Sequence, residues 1–414
     1  MNEEFAAFLA IDWADEKHAI AYTGAGSSEV VEGTIKHNAK ELEDMVLRLR
    51  KEFPKGRIAV IVEQSRGALF YGLMKYDFLV LFLPNPKSFA RYREAFRCSG
   101  AKSDPSDALL LLDLLRKHYR QLRAWSAEDP QTRELRMLAE YRRRLVHDRS
   151  RLINRLTSLL KCYFPEALQW TGDLSTKLAQ DFLQRWSTLE AVKKVRPTTL
   201  RSFYQKHGSR RKKLIEQRIS QIRNAIPFTT DPAIICASER MAQAIVSQLA
   251  ALRESIEGFD QKIAQLFEQH PDRFLYENLP GAGPVLQPRL AAAFGSDRSR
   301  FQSALEVQQF SGIAPVTEGS GKSKIIYRRR ACPKFILQTF HEFADHSVAR
   351  SRWARAYYLQ QKQRGNSHHA AVRSLAYKWI RILFRCWSNR ITYNEDTYLQ
   401  SLVKARSPLV ALIA

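Results

Sequence analysis

Four acidic residues in the first quarter of the chain have the types and spacing to hold metal ions. Asp12 ends the short apolar run FAAFLAIDW, and Glu63 ends a second one, RIAVIVEQ. Such runs are typical of strands buried on both faces, where a charge is costly unless it is paired or binds a cation. Asp104 and Asp107 are three residues apart at the predicted start of a helix, so both can lie on one helix face.

The chemistry predicted for these carboxylates is metal-assisted phosphoryl transfer. Carboxylate oxygens suit Mg²⁺ or Mn²⁺, and a divalent ion offsets the repulsion between like charges. Two such ions about 4 Å apart can activate a nucleophile and stabilise the leaving oxygen. Each acid alone also fits an ordinary role, Asp12 as a strand end in solvent, and Asp104 and Asp107 as helix N-terminal residues that face the helix dipole. The four together favour a metal site.

A second candidate site is the segment TEGSGKSK, residues 317–324. Ser320 lies between Gly319 and Gly321, where the backbone can approach a phosphate closely. A serine nucleophile needs activation by a base or a metal, and this segment contains no histidine. On these residues alone, a flexible Gly/Ser loop is the favoured interpretation. The basic residues that follow could clamp phosphate oxygens: Lys322, Lys324, Arg328, Arg329 and Arg330.

The elements predicted to position the acids form an α/β domain. The run that ends at Asp12 is followed by two strand-like runs, HAIAYTG and VVEGTIKH, which predict a hairpin. Asn38 can cap a helix, after which RIAVIVEQ and DFLVLFL predict two further buried strands that alternate with helices. This order predicts parallel strand pairs in a covered sheet, and function collects at the carboxyl ends of such strands.

The chain after this domain is predicted to be mostly helical. A long basic helix spans about 124–168, with leucines every seven residues at Leu138, Leu145, Leu152 and Leu159. A second helix at about 237–270 has a sustained heptad seam, which indicates a coiled coil or a two-helix hairpin, within one chain or across a dimer. Residues 169–235 stay unassigned. The seam residues are Ile245, Leu249, Leu252, Ile256, Phe259, Ile263 and Leu266.

A glycine-containing turn, LPGAGPVLQ, begins the last third of the chain. It resembles a helix-hairpin-helix turn, in which Gly281 and Gly283 would present backbone N–H groups to a phosphate. An ordinary helix–helix turn is about equally well supported. Basic, aromatic helices follow to about Trp387, and residues 391–414 are expected to be a loosely packed tail.

The charge of the chain predicts a polyanionic partner. The formal net charge is +24, from 66 basic and 42 acidic residues. Residues 1–107 carry 15 of the basic and 16 of the acidic residues, so the excess of positive charge lies entirely after residue 107. Interleaved aromatic residues favour nucleic acid over a membrane surface or a merely soluble basic face. Five scattered cysteines and the lack of a signal peptide or a long apolar run predict a cytoplasmic protein with reduced thiols.

These blocks together resemble the DEDD transposases of the insertion-sequence one-hundred-and-ten family. The resemblance rests on AIDWADEKH, on VIVEQSRGALFYGL, and on LPNPKSFARYREAFRCSGAKSDPSDALLL around Asp104 and Asp107. It continues in LPGAGPVLQPRLAAAFG and in FQSALEVQQFSGIAPVTEGSGKS. The blocks cover roughly three quarters of the chain in the order and at the distances of the family.

The resemblance implies an architecture and a reaction. It implies an RNase H-like, Holliday-junction-resolvase-like domain at 1–123, a coiled-coil region at 124–270, a mainly α-helical transposase domain at 271–390 and a tail at 391–414. It implies Mg²⁺ bound by the four acids and a serine nucleophile at Ser320, which reverses the order favoured by the residues alone. It implies recombination between a mobile element and its target DNA in the prokaryotic cytoplasm, associated with the nucleoid.

The resemblance also implies partners. They are the DNA of the element ends and the target, a structured bridge RNA that acts as a guide, and further copies of the chain in a dimer of dimers. No membrane partner is expected. The region after Ser320 departs from many relatives, since it lacks a glycine and a Leu-Arg-Arg helix. The residues predicted to contact nucleic acid are Lys102, Gly281, Gly283, Lys322, Lys324, Arg328, Arg329 and Arg330.

Two other functions stay open on the sequence. One is a metal-dependent junction nuclease that leaves free DNA ends and forms no covalent intermediate. The other is an inactivated relative that only binds nucleic acid. The presence of all four acids and of Ser320 favours an active enzyme over the second.

Overall fold

A computed structural model describes residues 5–64, 66–96, 104–321 and 323–413, with only the backbone described at Asp104, Pro105, Ser320 and Lys324. The chain divides between Ala127 and Glu128 into two compact units. The first unit is an α/β domain and the second is mostly helical, as the sequence predicts. Lys102 and Lys322, both predicted to contact nucleic acid, lie outside the described residues.

The first unit is built on a mixed sheet of five strands. The strand order is β3-β2-β1-β4-β5, with β1, β4 and β5 parallel and with β2 and β3 antiparallel. Asn38 caps the first helix by accepting from the backbone N–H of Glu41, as predicted. The elements are β1 Ala7–Asp12, β2 Lys17–Gly24, β3 Val31–Lys36, α1 Ala39–Glu52, β4 Ile58–Val62, α2 Ala68–Leu73, β5 Leu79–Phe82, α3 Pro86–Phe96 and α4 Asp104–His118.

Helices cover both faces of this sheet, and strand alternation decides which residue faces which helix. Ala7, Leu9 and Ile11 of β1 pack in one core with α1 and α2. Phe8 and Ala10 pack on the opposite face with α3 and α4. The apolar runs are therefore buried on both sides, which is why every position in them is apolar.

The second unit contains thirteen described α-helices, three short described 3-10 helices and one small hairpin. Its elements are α5 Pro130–Tyr163, α6 Ala167–Thr171, α7 Lys177–Arg185, α8 Leu189–Lys193, α9 Pro197–Lys206, α10 Lys212–Asn224, α11 Pro232–Glu268, α12 Leu286–Phe294, α13 Ala304–Phe310, β6 Val316–Ser320, β7 Ser323–Tyr327, α14 Lys334–Val348, α15 Arg352–Gln363, α16 His368–Asn389 and α17 Glu395–Lys404.

The two long helices α5 and α11 pack against each other within one chain. They run antiparallel, since Gln131 Nε2 donates to Leu266 O at 3.1 Å while residues near the other end of α5 pack with the first half of α11. Each helix starts at an Asp-Pro pair, which caps the helix and fixes its first turn. These caps place the starts six residues after the predicted 124 and five before the predicted 237.

The apolar seam predicted on α11 is confirmed, whereas the heptad leucines of α5 form only an imperfect seam. All seven seam residues of α11 are buried or half-buried. The heptad leucines of α5 are only half-buried, and the fully buried apolar positions are Leu135, Ala139, Leu156 and Leu160. The reason is the arginine-rich middle of α5, where no described residue between 141 and 155 is fully buried.

Residues 169–235, which the sequence left unassigned, mostly form short helices with a core of their own. Trp170, Phe182 and Tyr204 are buried there together with Leu156 of α5 and Leu249 of α11. The Tyr204 hydroxyl donates to the Trp170 carbonyl oxygen at 3.3 Å. These short helices are held by a few large aromatic side chains. They lack the long apolar periodicity by which a helix is recognised in a sequence.

The remaining helices of the second unit pack around a core that contains three buried tryptophans. Trp379 Nε1 donates to Ser347 Oγ at 2.7 Å, and Trp387 Nε1 donates to Gly295 O at 2.7 Å. Trp353 Nε1 donates to Tyr393 Oη at 2.8 Å, and Leu409 is buried in the same core. The segment after residue 390 is therefore packed rather than loose. Among the described helices, none is both long and apolar enough to span a membrane.

Candidate active site

Asp12 and Glu63 stand at the carboxyl ends of adjacent parallel strands. Asp12 is the last residue of β1 and is 5% exposed. It lies opposite Ala19, which belongs to the core on the α4 face of the sheet. Ile11 pairs with Val62, the last residue of β4, and Glu63 follows directly. Side chains alternate along a strand, and Ala59 and Ile61 face the core that includes α4. Glu63, two residues after Ile61, is therefore expected to face the same side.

Asp107 brings a third carboxylate to the same face, from α4. It is 2% exposed, and its Oδ2 accepts from Arg93 Nη1 of α3 at 2.8 Å. Its Oδ1 is buried and has no hydrogen-bond partner among the described residues. An ionised oxygen without a partner is costly in such a place, so the environment of Asp107 is suited to a cation.

The fourth predicted ligand, Asp104, is described by its backbone alone. It begins α4, one helical turn before Asp107, as the sequence predicts. Among the side chains that the structure describes, no three His, Cys, Asp or Glu residues form a ready metal-binding group. The buried and unpartnered Oδ1 of Asp107 nevertheless fits a metal ligand, and Arg93 supplies a positive charge at the same carboxylate.

Two residues near Asp12 were missed by the sequence analysis. His18 is buried in β2, and its Nδ1 accepts from the Ala14 N–H at 3.2 Å. Its Nε2 therefore carries the proton, which points to His37 Nδ1 at 2.8 Å. Burial, and then the charge of His37, lower the pKa of His18. His18 thus holds the turn after Asp12 through Ala14. The contact between His18 and His37 depends on the pairing of β2 with β3, which places His18 opposite Ile35, so the sequence alone did not reveal it.

Ser320 belongs to the second unit and lies in a β-hairpin, so the loop that the residues alone favoured is wrong as secondary structure. It ends β6 and pairs with Ser323 of β7 across a two-residue turn. Gly321 in that turn has a φ of +57°, which a glycine adopts without strain. The basic residues predicted to contact nucleic acid follow the hairpin: Arg328 and Arg330 are exposed and Arg329 is half-buried.

The two glycines of the LPGAGPVLQ turn differ in their surroundings. Gly281 has a φ of +83°, and a Cβ there would lie 2.7 Å from the carbonyl of His346. Its lack of a side chain is thus required by close packing on the end of α14. At Gly283 a Cβ would meet no atom within 4 Å. Gly283 therefore has the open surroundings that a phosphate contact needs.

Two family models match the chain. One, DEDD_Tnp_IS110, described as a transposase, matches residues 9–165, and the other, described as the transposase IS116/IS110/IS902 family, matches residues 275–359. The chain belongs to the IS110 family of transposases. The first match contains all four acids of this transposase, and the second contains Ser320 and both turn glycines.

Curated relatives cover the transposase from end to end. The candidate mini-circle transposase for IS117 from Streptomyces coelicolor is 27% identical over 98% of this chain and 99% of its own length. The 43.6 kDa protein of the insertion element IS110 from the same organism is 26% identical over 99% of each chain. The 44.8 kDa protein of IS116 from Streptomyces clavuligerus is 27% identical over 82% of this chain and 84% of its own.

Proposed function

We propose that this transposase cuts and rejoins DNA strands with a metal-binding acidic tetrad and a serine nucleophile. The tetrad is Asp12, Glu63, Asp104 and Asp107, and the nucleophile is Ser320. The observation that carries the proposal is the buried Oδ1 of Asp107, which has no hydrogen-bond partner among the described residues. Strand alternation supports Asp12 and Glu63 on the same face of the sheet, the face on which α4 packs.

The acids would hold Mg²⁺ or Mn²⁺, which when bound polarises a phosphate oxygen and stabilises a leaving oxygen. The protein supplies a rigid frame for the ligands. Asp12 is fixed by the β1 ladder, and Asp107 is fixed by a helix that packs on β1, β2 and β4. Arg93 orients the second oxygen of Asp107. Ligands on strands and helices are held more precisely than ligands on loops.

Ser320 would carry the covalent step. Attack of its hydroxyl on a backbone phosphorus forms a serine–phosphate ester and releases a DNA hydroxyl, which takes up a proton. Attack of a hydroxyl from a second strand then forms the new DNA bond and restores the serine. The hairpin supports this role, because Gly319 and Gly321 leave the backbone around Ser320 free of side chains.

The strand order supports an RNase H-like fold for the predicted domain 1–123. The resemblance implies this fold, and the domain has an antiparallel β1–β2–β3 unit followed by β4 and β5, which are parallel to β1. The paired α5 and α11 support the predicted coiled-coil region within 124–270, and the helices that follow support a transposase domain at 271–390. Guidance by a bridge RNA and assembly as a dimer of dimers complete the proposal, and the excess of basic residues supports a nucleic-acid partner.

The test uses the purified full-length chain with DNA that carries the ends of its own element. The reaction is run with Mg²⁺, with and without RNA transcribed from the element's flanks. We expect a protein–DNA adduct that survives denaturation, absent in Ser320→Ala and in Asp12→Asn. Ser323→Ala, at the paired position of the same hairpin, is the matched control and should keep the adduct.

The outcomes separate the three functions. Cleavage to free ends without an adduct, unchanged in Ser320→Ala, would replace the serine mechanism by a junction nuclease. Salt-sensitive DNA binding without any Mg²⁺-dependent cleavage would identify an inactive nucleic-acid-binding relative. An adduct that forms equally well without RNA would refute the guide.

A further inference from the structure

A basic cavity lies inside the second unit, where α5, α11, α12 and α14 meet. Its volume is about 200 Å³. The charged and titratable side chains that line it are Arg142, Arg143, His147, Asp260, Arg289 and Glu342. None of these was predicted to contact nucleic acid, because they come from four separate parts of the chain.

Arg289 of α12 is a buried arginine with one nitrogen unused. It is 9% exposed, its Nε donates to Thr339 Oγ1 at 3.1 Å, and its Nη1 donates to Glu342 Oε2 at 2.5 Å. Its Nη2 is buried without a hydrogen-bond partner among the described residues. A buried charged donor left unsatisfied is costly, so this group is suited to an acceptor that enters the cavity.

Arg143 of α5 is the second group without an acceptor. It is half-buried, and its Nε is buried with no hydrogen-bond partner among the described residues. Burial, and then the positive charge of Arg289, lower the pKa of Arg143, while the charges of Glu342 and Glu140 act in the opposite direction. Two guanidinium groups that repel each other inside one cavity are stabilised by an anion between them.

The carboxylates that line the cavity give neither Arg143 Nε nor Arg289 Nη2 an acceptor, because their hydrogen bonds go to other groups. Asp260 Oδ2 accepts from Arg142 Nη2 at 3.0 Å. Glu342 accepts from Arg289 and, through its other oxygen, from Gln338. Three arginines thus line the cavity together with two carboxylates. A third carboxylate, Glu140, also acts on Arg143 but is paired with Arg136 at 3.3 Å, so one positive charge is left over.

We propose that this cavity binds a single phosphate group of the DNA backbone, held by Arg143 and by Nη2 of Arg289. A phosphodiester carries one negative charge, which matches the excess in the cavity, and its oxygens match the forked donors of arginine. The volume is below the roughly 300–1,000 Å³ of sites that enclose drug-sized ligands, so one phosphate fits and a whole nucleotide does not. The choice of DNA as the source of the phosphate rests on the proposed function.

The first measurement uses inorganic phosphate as the probe and requires no DNA. Thermal unfolding of the full chain is followed in phosphate and in chloride at equal ionic strength. We expect phosphate to raise the unfolding temperature of the natural chain and of Arg144→Gln, an exposed neighbour on α5. Arg143→Gln should lose this effect. Arg143→Lys, which keeps the charge but loses the fork, should retain a part of it and serves if the glutamine variant folds poorly.

The second measurement is DNA binding as a function of salt. Each phosphate contact contributes a slope of about −0.9 to log K against log salt, so Arg143→Gln should make the slope shallower by about 0.9. An unchanged phosphate effect in Arg143→Gln overturns the site. If Arg143→Gln loses the phosphate effect but keeps the DNA slope, DNA is not the source of the phosphate and the cavity binds free phosphate. If the slope changes for RNA and not for DNA, DNA is likewise not the source. Failure of DNA cleavage would bear on the proposed function and not on the phosphate measurement.

Discussion

Replacement of Arg93 by glutamine tests the charge balance at the candidate metal site. The Arg93 guanidinium is paired with the Asp107 carboxylate, with Nη1 and Oδ2 at 2.8 Å. Removal of one member of a buried ion pair costs about 3–5 kcal/mol. Arg93 is 29% exposed, so water screens part of this interaction, and a charged hydrogen bond of about 1.5–3 kcal/mol is the better guide. We expect a loss of about 2 kcal/mol.

Hydrogen exchange of α4 measures this loss locally. A change of about 2 kcal/mol speeds exchange by about 30-fold, since 1.4 kcal/mol is tenfold. Arg91→Gln, an exposed arginine on the same helix α3, is the matched control and should leave the exchange of α4 unchanged. The double variant with Asp107→Asn should recover much of the protection, because an amide in place of the carboxylate no longer needs a cation.

Magnesium gives the decisive comparison. If Asp107 binds Mg²⁺, added Mg²⁺ replaces the missing guanidinium, and the protection of α4 in Arg93→Gln rises more than that of the natural chain. Equal exchange in Arg93→Gln and Arg91→Gln would refute the energetic role of Arg93. A large loss that Mg²⁺ does not reverse would refute the assignment of Asp107 as a ligand.

Two further perturbations separate structural from functional roles. Gly281→Ala should lower the free energy of unfolding by about 3 kcal/mol, because Gly281 has a positive φ and a Cβ there would lie 2.7 Å from His346. Gly283→Ala should change the free energy of unfolding by less than about 0.5 kcal/mol. Equal losses for the two variants in urea denaturation would contradict this difference. The lowered pKa of His18 means that the unfolded chain, with a histidine pKa of 6.5, binds a proton before the folded chain does. Stability should therefore fall as the pH drops below about 6.5 and towards the folded pKa, with a smaller fall in His18→Gln; identical pH profiles of thermal unfolding would rule out this origin.

The sequence predicted the elements whose character is local. Apolar runs identified β1, β4 and β5, and the structure confirms that Asp12 ends one buried strand and that Glu63 follows another. The Asn38 cap and the seam of α11 were also predicted correctly, since caps and heptads depend on neighbours within one or two turns. The TEGSGKSK segment was misjudged because a glycine turn between two short strands has the same composition as a loop.

Tertiary structure decided which distant side chains meet. Arg93 reaches Asp107 from the preceding helix, and Arg143 meets Arg289 across nearly one hundred and fifty residues of chain, so no local spacing records either contact. The face on which Asp12 and Glu63 lie follows from the pairing of Ile11 with Val62 and from the packing of α4, since a shift of one residue would turn each side chain to the other face. The sequence alone determined that carboxylates end the strands. The sheet register and the helix packed on it determined which side of the sheet these carboxylates take, because side chains alternate between the faces of a strand with a period of two.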